Sequence, residues 1–278
     1  MAVTGHREAC QYNAGMDKLR AELKSFSKIW EGGYYEGNPL DPLGWSSYGP
    51  IGFISGLHAT YLRCIKPYVN GKTVALEIGP GRGAWTQALL PAREIWALDA
   101  LSAEHNGFWD FIPRAEEKKV KYLHVQDFSC RELPQNHFNY MFSFGALCHV
   151  SFEGIEESAR NIYPMLKKGA ACFWMIADYK KYNAAVSNLR EIGIYHRLIH
   201  PRLLAKRSTR FILGRIHRRL KFSQAKLSVD KSDAPSPGRW YDAGVERTCA
   251  MLESLGYQVV DPDVGTCLRD PIIHFRKR

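Results

Sequence analysis

The sequence lacks any long uninterrupted run of apolar residues. No stretch reaches the roughly 18 consecutive apolar residues that a membrane-spanning helix requires, although 45% of the 278 residues are hydrophobic and 12% are aromatic. The first twenty residues also lack the apolar segment and small-residue cleavage site of a secretory signal. These absences exclude a transmembrane protein and indicate a globular one, which we expect in the cytoplasm.

The chain also lacks the cysteine and histidine spacings that bind metal ions. Its seven cysteines form no CxxC pair, and its histidines show no ligand spacing with neighbouring cysteines or carboxylates. An odd number of cysteines suits reduced thiols better than a disulfide framework. We therefore expect neither a structural zinc site nor any other bound metal.

No internal repeat is visible, and the length allows one substantial core rather than two catalytic domains. Residues 1–72 predict an N-terminal extension with helical patterns at 15–30 and 53–69, separated by a segment rich in glycine, proline and aromatic residues. Its aromatic residues either cap a ligand site or pack against the domain. Tyr48, in the polar turn SSYGPIG, is a candidate substrate-binding residue.

Strand and helix patterns alternate from Thr73 onward, which predicts a parallel α/β sheet. Seven segments have the pattern of strands: 73–78, 94–100, 119–127, 138–147, 170–178, 257–261 and 271–278. Helical patterns fall between them at 84–90, about 103–115, 152–168 and 242–256. The last two strands are joined too tightly for a helical crossover, so we expect an antiparallel edge pair.

The sequence VALEIGPGRG, residues 74–83, joins the first of these strands to a glycine-rich loop, which places Gly79, Gly81 and Gly83 before a predicted helix. Glycine lets backbone approach a ligand closely, and a helix N-terminus offers free N–H groups to a carboxylate. Asp99 ends the next strand, where an acid can bind the ribose hydroxyls of a nucleotide-type cofactor. The loop alone is weak evidence, because Gly79, Gly81 and Ala84 also fit the looser dinucleotide fingerprint.

With Glu77 two residues before the first glycine and a GxGxG spacing, the sequence resembles the class I family of methyltransferases that use S-adenosylmethionine (SAM). The resemblance covers residues 73–178 and resumes at 240–278. It implies a Rossmann-like, doubly wound, mostly parallel seven-stranded sheet, with SAM as the cofactor. The residues that it assigns to SAM are Glu77, Gly79, Gly81 and Gly83 at the methionine part, Asp99 at the ribose, and Asp127 with Phe128 beside the adenine.

Methylation of an alcohol requires a group that takes the proton of the hydroxyl. His149, after the fourth strand, and Asp178, after the fifth, are the candidate catalytic residues. Alternatively, His149 belongs to the scaffold and Asp178 caps a turn. The chain has Asn139 where relatives often have an aspartate, and it lacks the (Asn/Asp)-Pro-Pro-Tyr motif of enzymes that methylate the amino groups of nucleobases.

The net charge of +10 is concentrated in one segment. Residues 180–231 contain fourteen Lys or Arg residues against two acids, a local balance of +12. A basic insertion at 180–238 could recognise an anionic acceptor, through Arg207 and Arg210, or contact an anionic membrane surface or nucleic acid. It could equally be a solvated face.

The sequence therefore predicts an extension at 1–72 and a methyltransferase domain at 73–278 that carries the insertion. The preferred activity is O-methylation of a small molecule or glycan. An RNA or protein methyltransferase and a non-catalytic SAM-fold binding protein are the alternatives. Charge favours RNA, but the chain has no RNP-like signature.

Overall fold

The computed structural model describes residues 17–28, 30–42, 45–46, 49–50, 56–185 and 240–278. Within these ranges nine strands occur, of which seven form one sheet and two form a short antiparallel pair. The short pair is β1 (Trp45–Ser46) and β2 (Gly49–Pro50). The strands of the large sheet are β3 (Val74–Ile78), β4 (Glu94–Asp99), β5 (Val120–His124), β6 (Phe138–Ser143), β7 (Leu166–Met175), β8 (Tyr257–Asp261) and β9 (Ile272–Lys277).

The large sheet is Rossmann-like and doubly wound, as the sequence predicts. Its strand order is β5-β4-β3-β6-β7-β9-β8, in which β3 to β7 are parallel and β9 runs antiparallel between β7 and β8. The chain builds outward from β3 to β5 and then continues on the other side of β3 with β6. Open α/β sheets bind ligands at such a switch point, outside the carboxyl ends of the strands.

Helices cover both faces of this sheet. They are α1 (17–28), α2 (Gly56–Thr60), α3 (Ala84–Leu89), α4 (Ala103–Asn106), α5 (Phe108–Phe111), α6 (Phe152–Ile162), α7 (179–185) and α8 (Val245–Ser254). A π-helix, Tyr61–Ile65, extends α2, and short 3-10 helices lie at Arg114–Lys118, Leu147–His149 and Tyr163–Met165. In the described part of the chain, no helix is both long and apolar enough to cross a membrane.

Neighbouring residues of each central strand belong to different hydrophobic layers, because successive side chains of a strand point to opposite faces. Ala75 packs in the layer that contains Trp85 of α3. Leu76 packs in the other layer, together with Ile155 of α6 and Leu252 of α8. Burial on both faces explains why β3 has an almost uninterrupted apolar sequence rather than an alternating one.

Two helix predictions differ from the structure at residues that disfavour helix. The predicted helix 152–168 ends at Ile162, because Pro164 cannot continue the hydrogen-bonding pattern, and Leu166 already begins β7. The predicted helix near 103–115 is divided into α4 and α5 by Gly107, which has a φ of 59°. Asn139 accepts a hydrogen bond from the backbone N–H of Val74 at 2.7 Å and so ties β6 to the start of β3.

Candidate cofactor and acceptor site

A cleft lies at the carboxyl ends of β3, β4 and β6, where the strand order reverses. Its volume is about 1180 Å³, including space open to solvent. One wall comes from the domain and the other from the N-terminal extension.

The glycine loop forms the floor of the cleft, to which Gly79 and Gly81 contribute directly. Both have positive φ values, 71° and 53°, which L side chains rarely adopt. A Cβ on Gly81 would lie 2.9 Å from the carbonyl oxygen of Tyr34, and one on Gly79 would overlap the Ala146 side chain. Gly83 has a different role, because a Cβ there would meet Ile112 of the domain at 2.8 Å.

Asp99 lines the cleft at the end of β4. Its Oδ2 accepts a hydrogen bond from the Gly81 N–H at 3.1 Å, and its Oδ1 accepts one from the Leu101 N–H at 2.9 Å. A carboxylate has about four lone-pair sites, so both oxygens can still accept hydrogen bonds from ribose hydroxyls. Burial raises the pKa of Asp99, whereas the two backbone N–H groups lower it.

Glu77 lies beneath the glycine loop rather than in the wall of the cleft. Its side chain is buried, and its Oε2 accepts a hydrogen bond from the Thr86 hydroxyl at 2.6 Å. Burial raises the pKa of Glu77 to about 8, and the charges of Asp99 and Glu36 add to that rise. Glu77 therefore connects the end of β3 to α3 and supports the loop from below.

Asp127 and Phe128 line the far end of the cleft, after β5. Asp127 Oδ1 accepts a hydrogen bond from the Ser129 N–H at 2.9 Å, and Oδ2 lies 3.7 Å from Nε of Arg20 in α1. Partial burial opposes ionisation, but Ser129 and two nearby arginines hold the pKa of Asp127 below its usual range. The Phe128 ring offers an apolar surface on which a flat base can stack.

The N-terminal extension forms the opposite wall, with Leu23, Phe26, Trp30 and Tyr34 among the lining residues. Several of its contacts with the domain use main-chain atoms. The Tyr34 carbonyl accepts a hydrogen bond from the Arg82 N–H at 3.2 Å.

Two further main-chain contacts hold the same segment. The Gly33 N–H donates to Asn106 Oδ1 at 3.1 Å, and the Trp30 carbonyl lies 3.0 Å from His105 Nε2. Sequence reasoning suggested a cap but did not identify these contacts.

Two side chains of the extension anchor it more deeply. Glu22 of α1 is buried, and its carboxylate accepts hydrogen bonds from the N–H and hydroxyl of Ser151, both at 2.7 Å. Ser151 is the N-cap of α6. Burial raises the pKa of Glu22, and the two bonds from Ser151 oppose that rise.

Glu36 is the second of these side chains, and it lines the cleft. Its Oε2 accepts a hydrogen bond from Trp85 Nε1 at 2.9 Å. Burial raises the pKa of Glu36 to about 7, although Trp85 and Arg269 lower it. Glu36 is not among the residues predicted from the sequence. The one feature that could have indicated it is its place as an acid between Tyr35 and Gly37, in a segment without hydrophobic periodicity.

The two candidate bases occupy different environments. His149 lines the cleft at the end of the 3-10 helix that follows β6, and its ring meets the Trp30 ring edge-on with centroids 4.8 Å apart. Asp178 lies outside the cleft lining. Its Oδ1 accepts a hydrogen bond from the Lys181 N–H at 2.8 Å, and its Oδ2 accepts one from the Val245 N–H at 2.9 Å. The structure therefore brings His149, but not Asp178, to the cleft.

The predicted substrate-binding residues Tyr48, Arg207 and Arg210 lie outside the described residues, as does the insertion beyond residue 185. Within the described ranges, no group of three or more His, Cys, Asp or Glu residues is placed to hold a metal ion. Cys130 lines the cleft, but burial raises the pKa of its thiol to about 12. Its sulfur is therefore protonated at neutral pH and is a poor nucleophile.

Part of the chain is similar to known methyltransferases. Residues 76–174 match the family model of a methyltransferase domain. A putative SAM-dependent methyltransferase from Listeria monocytogenes aligns with a TM-score of 0.48 at 12% identity, covering 80% of this chain and 98% of that one. The YcgJ protein of Bacillus subtilis aligns with a TM-score of 0.46 at 14% identity, covering 73% and 71%. The search of curated proteins found no match.

The doubly wound sheet, the glycine loop and the acid at the end of β4 define a class I enzyme fold for a nucleoside-type cofactor. Residues 76–174 match a methyltransferase domain, so this part of the chain is similar to the SAM-dependent methyltransferases. SAM is its cofactor, and a methyl acceptor is its second substrate.

Proposed function

We propose that the protein methylates a hydroxyl group of a small molecule or glycan and that His149 takes the proton of that hydroxyl. The observation that carries the proposal is the position of His149 in the wall of the cleft, beside the loop that follows β6. An imidazole titrates near neutral pH, which suits a general base. Asp178 has no part in this proposal, because it lies outside the lining of the cleft.

The proposed arrangement places the cofactor along the domain wall. Gly79 and Gly81 leave room for the methionine part, Asp99 accepts hydrogen bonds from the ribose, and Asp127 with Phe128 flanks the adenine. Glu77 and Gly83 support the loop from outside the cleft. When bound, SAM supplies a methyl group on a sulfonium, which is already activated, so the protein must chiefly align the acceptor and exclude water.

The extension would provide the second half of this task. Trp30 and Tyr34 close the cleft opposite the glycine loop and present aromatic surface to the acceptor. We retain Arg207 and Arg210 of the insertion as proposed contacts for an acidic acceptor. Their contribution would follow from the +12 charge of residues 180–231.

A methyl-transfer screen tests this proposal. Purified protein with isotopically labelled SAM is offered phenols, sugars, carboxylic acids, amines and RNA, and the methylated atom is identified by mass spectrometry. We expect a hydroxyl compound to be methylated, with a rate that rises with pH up to the pKa of the base. Methylation of RNA or an amine to the exclusion of hydroxyl compounds would contradict the proposal.

A further inference from the structure

Three carboxyl groups lie at or beneath the glycine loop. Glu36 and Asp99 line the cleft, and Glu77 lies directly beneath the loop. Burial raises the pKa of all three carboxyl groups. Buried acids with raised pKa values are stabilised by a cation that binds among them.

The charged groups that face Glu36 come from several elements. Arg269 lowers its pKa, but Nε of Arg269 already donates a hydrogen bond to Asp270 at 2.6 Å. Glu77 beneath the loop and Cys148 after β6 each interact with Glu36 electrostatically, and each has its own pKa raised by it. Arg269, the cation near Glu36, therefore already pairs with Asp270.

Geometry places the Glu36 carboxylate over the floor of the cleft. A Cβ built on Gly145 would overlap Glu36 Oε1, and the next residue, Ala146, is the one that a Cβ on Gly79 would overlap. The other oxygen of Glu36 is held by Trp85 Nε1, two residues after Gly83. Glu36 is thus fixed next to the part of the loop where the proposed function places the methionine part of SAM.

We propose that Glu36, supplied by the N-terminal extension, binds the α-ammonium group of the methionine part of SAM. The inference rests on the cofactor placement in the proposed function. The cofactor has an ammonium and a sulfonium against one carboxylate, so its net charge complements the acids around the loop. Charge-assisted hydrogen bonds from an ammonium to a carboxylate are among the strongest in proteins. The extension thereby completes the cofactor site as well as covering it.

Calorimetry with three ligands tests this contact without any acceptor. The ligands are SAM, S-adenosylhomocysteine and the analogue of S-adenosylhomocysteine in which hydrogen replaces the α-ammonium. Glu36→Gln should weaken binding of SAM and of S-adenosylhomocysteine about 10- to 100-fold, the range for a hydrogen bond between charged groups. It should leave binding of the deaminated analogue nearly unchanged. Glu31→Gln, an exposed acid of the same segment, is the matched control and should change neither.

The pH dependence in the wild-type protein provides a second readout that needs no variant. Glu36, with a pKa of about 7, must lose its proton to pair with the ammonium. SAM affinity should therefore increase as the pH rises towards 7, and binding near pH 7 should release a proton, measurable by titration in buffers of different ionisation enthalpy. Above about pH 8 the α-amino group itself deprotonates, so affinity should fall again.

The outcomes separate this contact from the alternatives. Unchanged SAM affinity with a lowered kcat in Glu36→Gln would overturn the proposal and move Glu36 to the acceptor. Equal weakening of all three ligands would also overturn it and indicate a packing role. A failed acceptor screen would count against the proposed hydroxyl methylation but would leave these binding results intact.

Discussion

The two walls of the cleft are built in different ways. The domain wall consists of strand ends and the loop between β3 and α3, so its residues follow from short sequence spacings such as Gly79 to Asp99. The extension wall consists of residues that reach the cleft from far along the chain, as Glu36 does to reach Trp85. A cofactor motif therefore identifies one wall of the binding site. The other wall depends on how the extension, which has no motif, packs against the domain in the folded protein.

The largest expected effect comes from the domain wall, where Gly81→Arg should abolish SAM binding. Gly81 has a φ of 53°, and even a Cβ would approach the Tyr34 carbonyl to 2.9 Å, so an arginine would displace the extension from the loop. Calorimetry measures the loss. Gly169→Arg is the control, because Gly169 also has a positive φ, 78°, but has open space around it. SAM binding by a folded Gly81→Arg protein would contradict the assigned cleft.

The second effect concerns catalysis by His149, which contacts Trp30 of the extension wall. His149→Ala should lower kcat for a hydroxyl acceptor about 100-fold or more, the usual contribution of a general base. SAM affinity should change little. His137→Ala, which removes an imidazole paired with Glu94, should leave kcat near the wild-type value. If the His149 variant keeps the same pH profile at a reduced rate, another group is the base.

The third effect tests the ribose contact. Asp99→Ala should weaken SAM binding by about 1.5 to 3 kcal/mol, because hydrogen bonds to a charged group are lost. Part of the loss arises in the loop, since Asp99 also holds the Gly81 N–H. Asp99→Asn retains an acceptor oxygen and should lose less. Binding of NADH in place of SAM by the wild-type protein would show that the cofactor assignment is wrong.

The smallest expected effect concerns the extension wall, at the contact between α1 and the domain. Glu22→Gln replaces an acceptor for two hydrogen bonds from Ser151, which we expect to cost about 1 kcal/mol in the docking of α1. The SAM dissociation constant should then rise about 5-fold, since Leu23 and Phe26 of α1 line the cleft. Limited proteolysis should show faster cleavage within α1. Identical cleavage rates in variant and wild type would mean that Glu22 does not hold α1 in place.

The sheet could be predicted from the sequence, because the alternating strand and helix patterns are local and repeat along the chain. Strand β3 lies next to a loop whose glycines have the positive φ values that this turn requires. Asp178 shows where such reasoning stops, because an acid after a strand is compatible with both catalysis and capping. Only the folded structure distinguishes the two roles, since it places Asp178 outside the cleft with hydrogen bonds from the backbone N–H groups of Lys181 and Val245. Glu36 could not be predicted from the sequence, because its partner Trp85 lies in α3, 49 residues further along the chain.

The main-chain contacts of the extension have a consequence for evolution. Trp30, Gly33 and Tyr34 attach to the domain through backbone atoms, and backbone groups are common to nearly all amino acids. Apart from Gly32 and Gly33, whose positive φ values restrict substitution, side chains in this segment can therefore be exchanged while its backbone contacts remain. Under the proposed function, single substitutions there would change the surface presented to the acceptor, while the strand ends and the glycine loop of the domain stay the same.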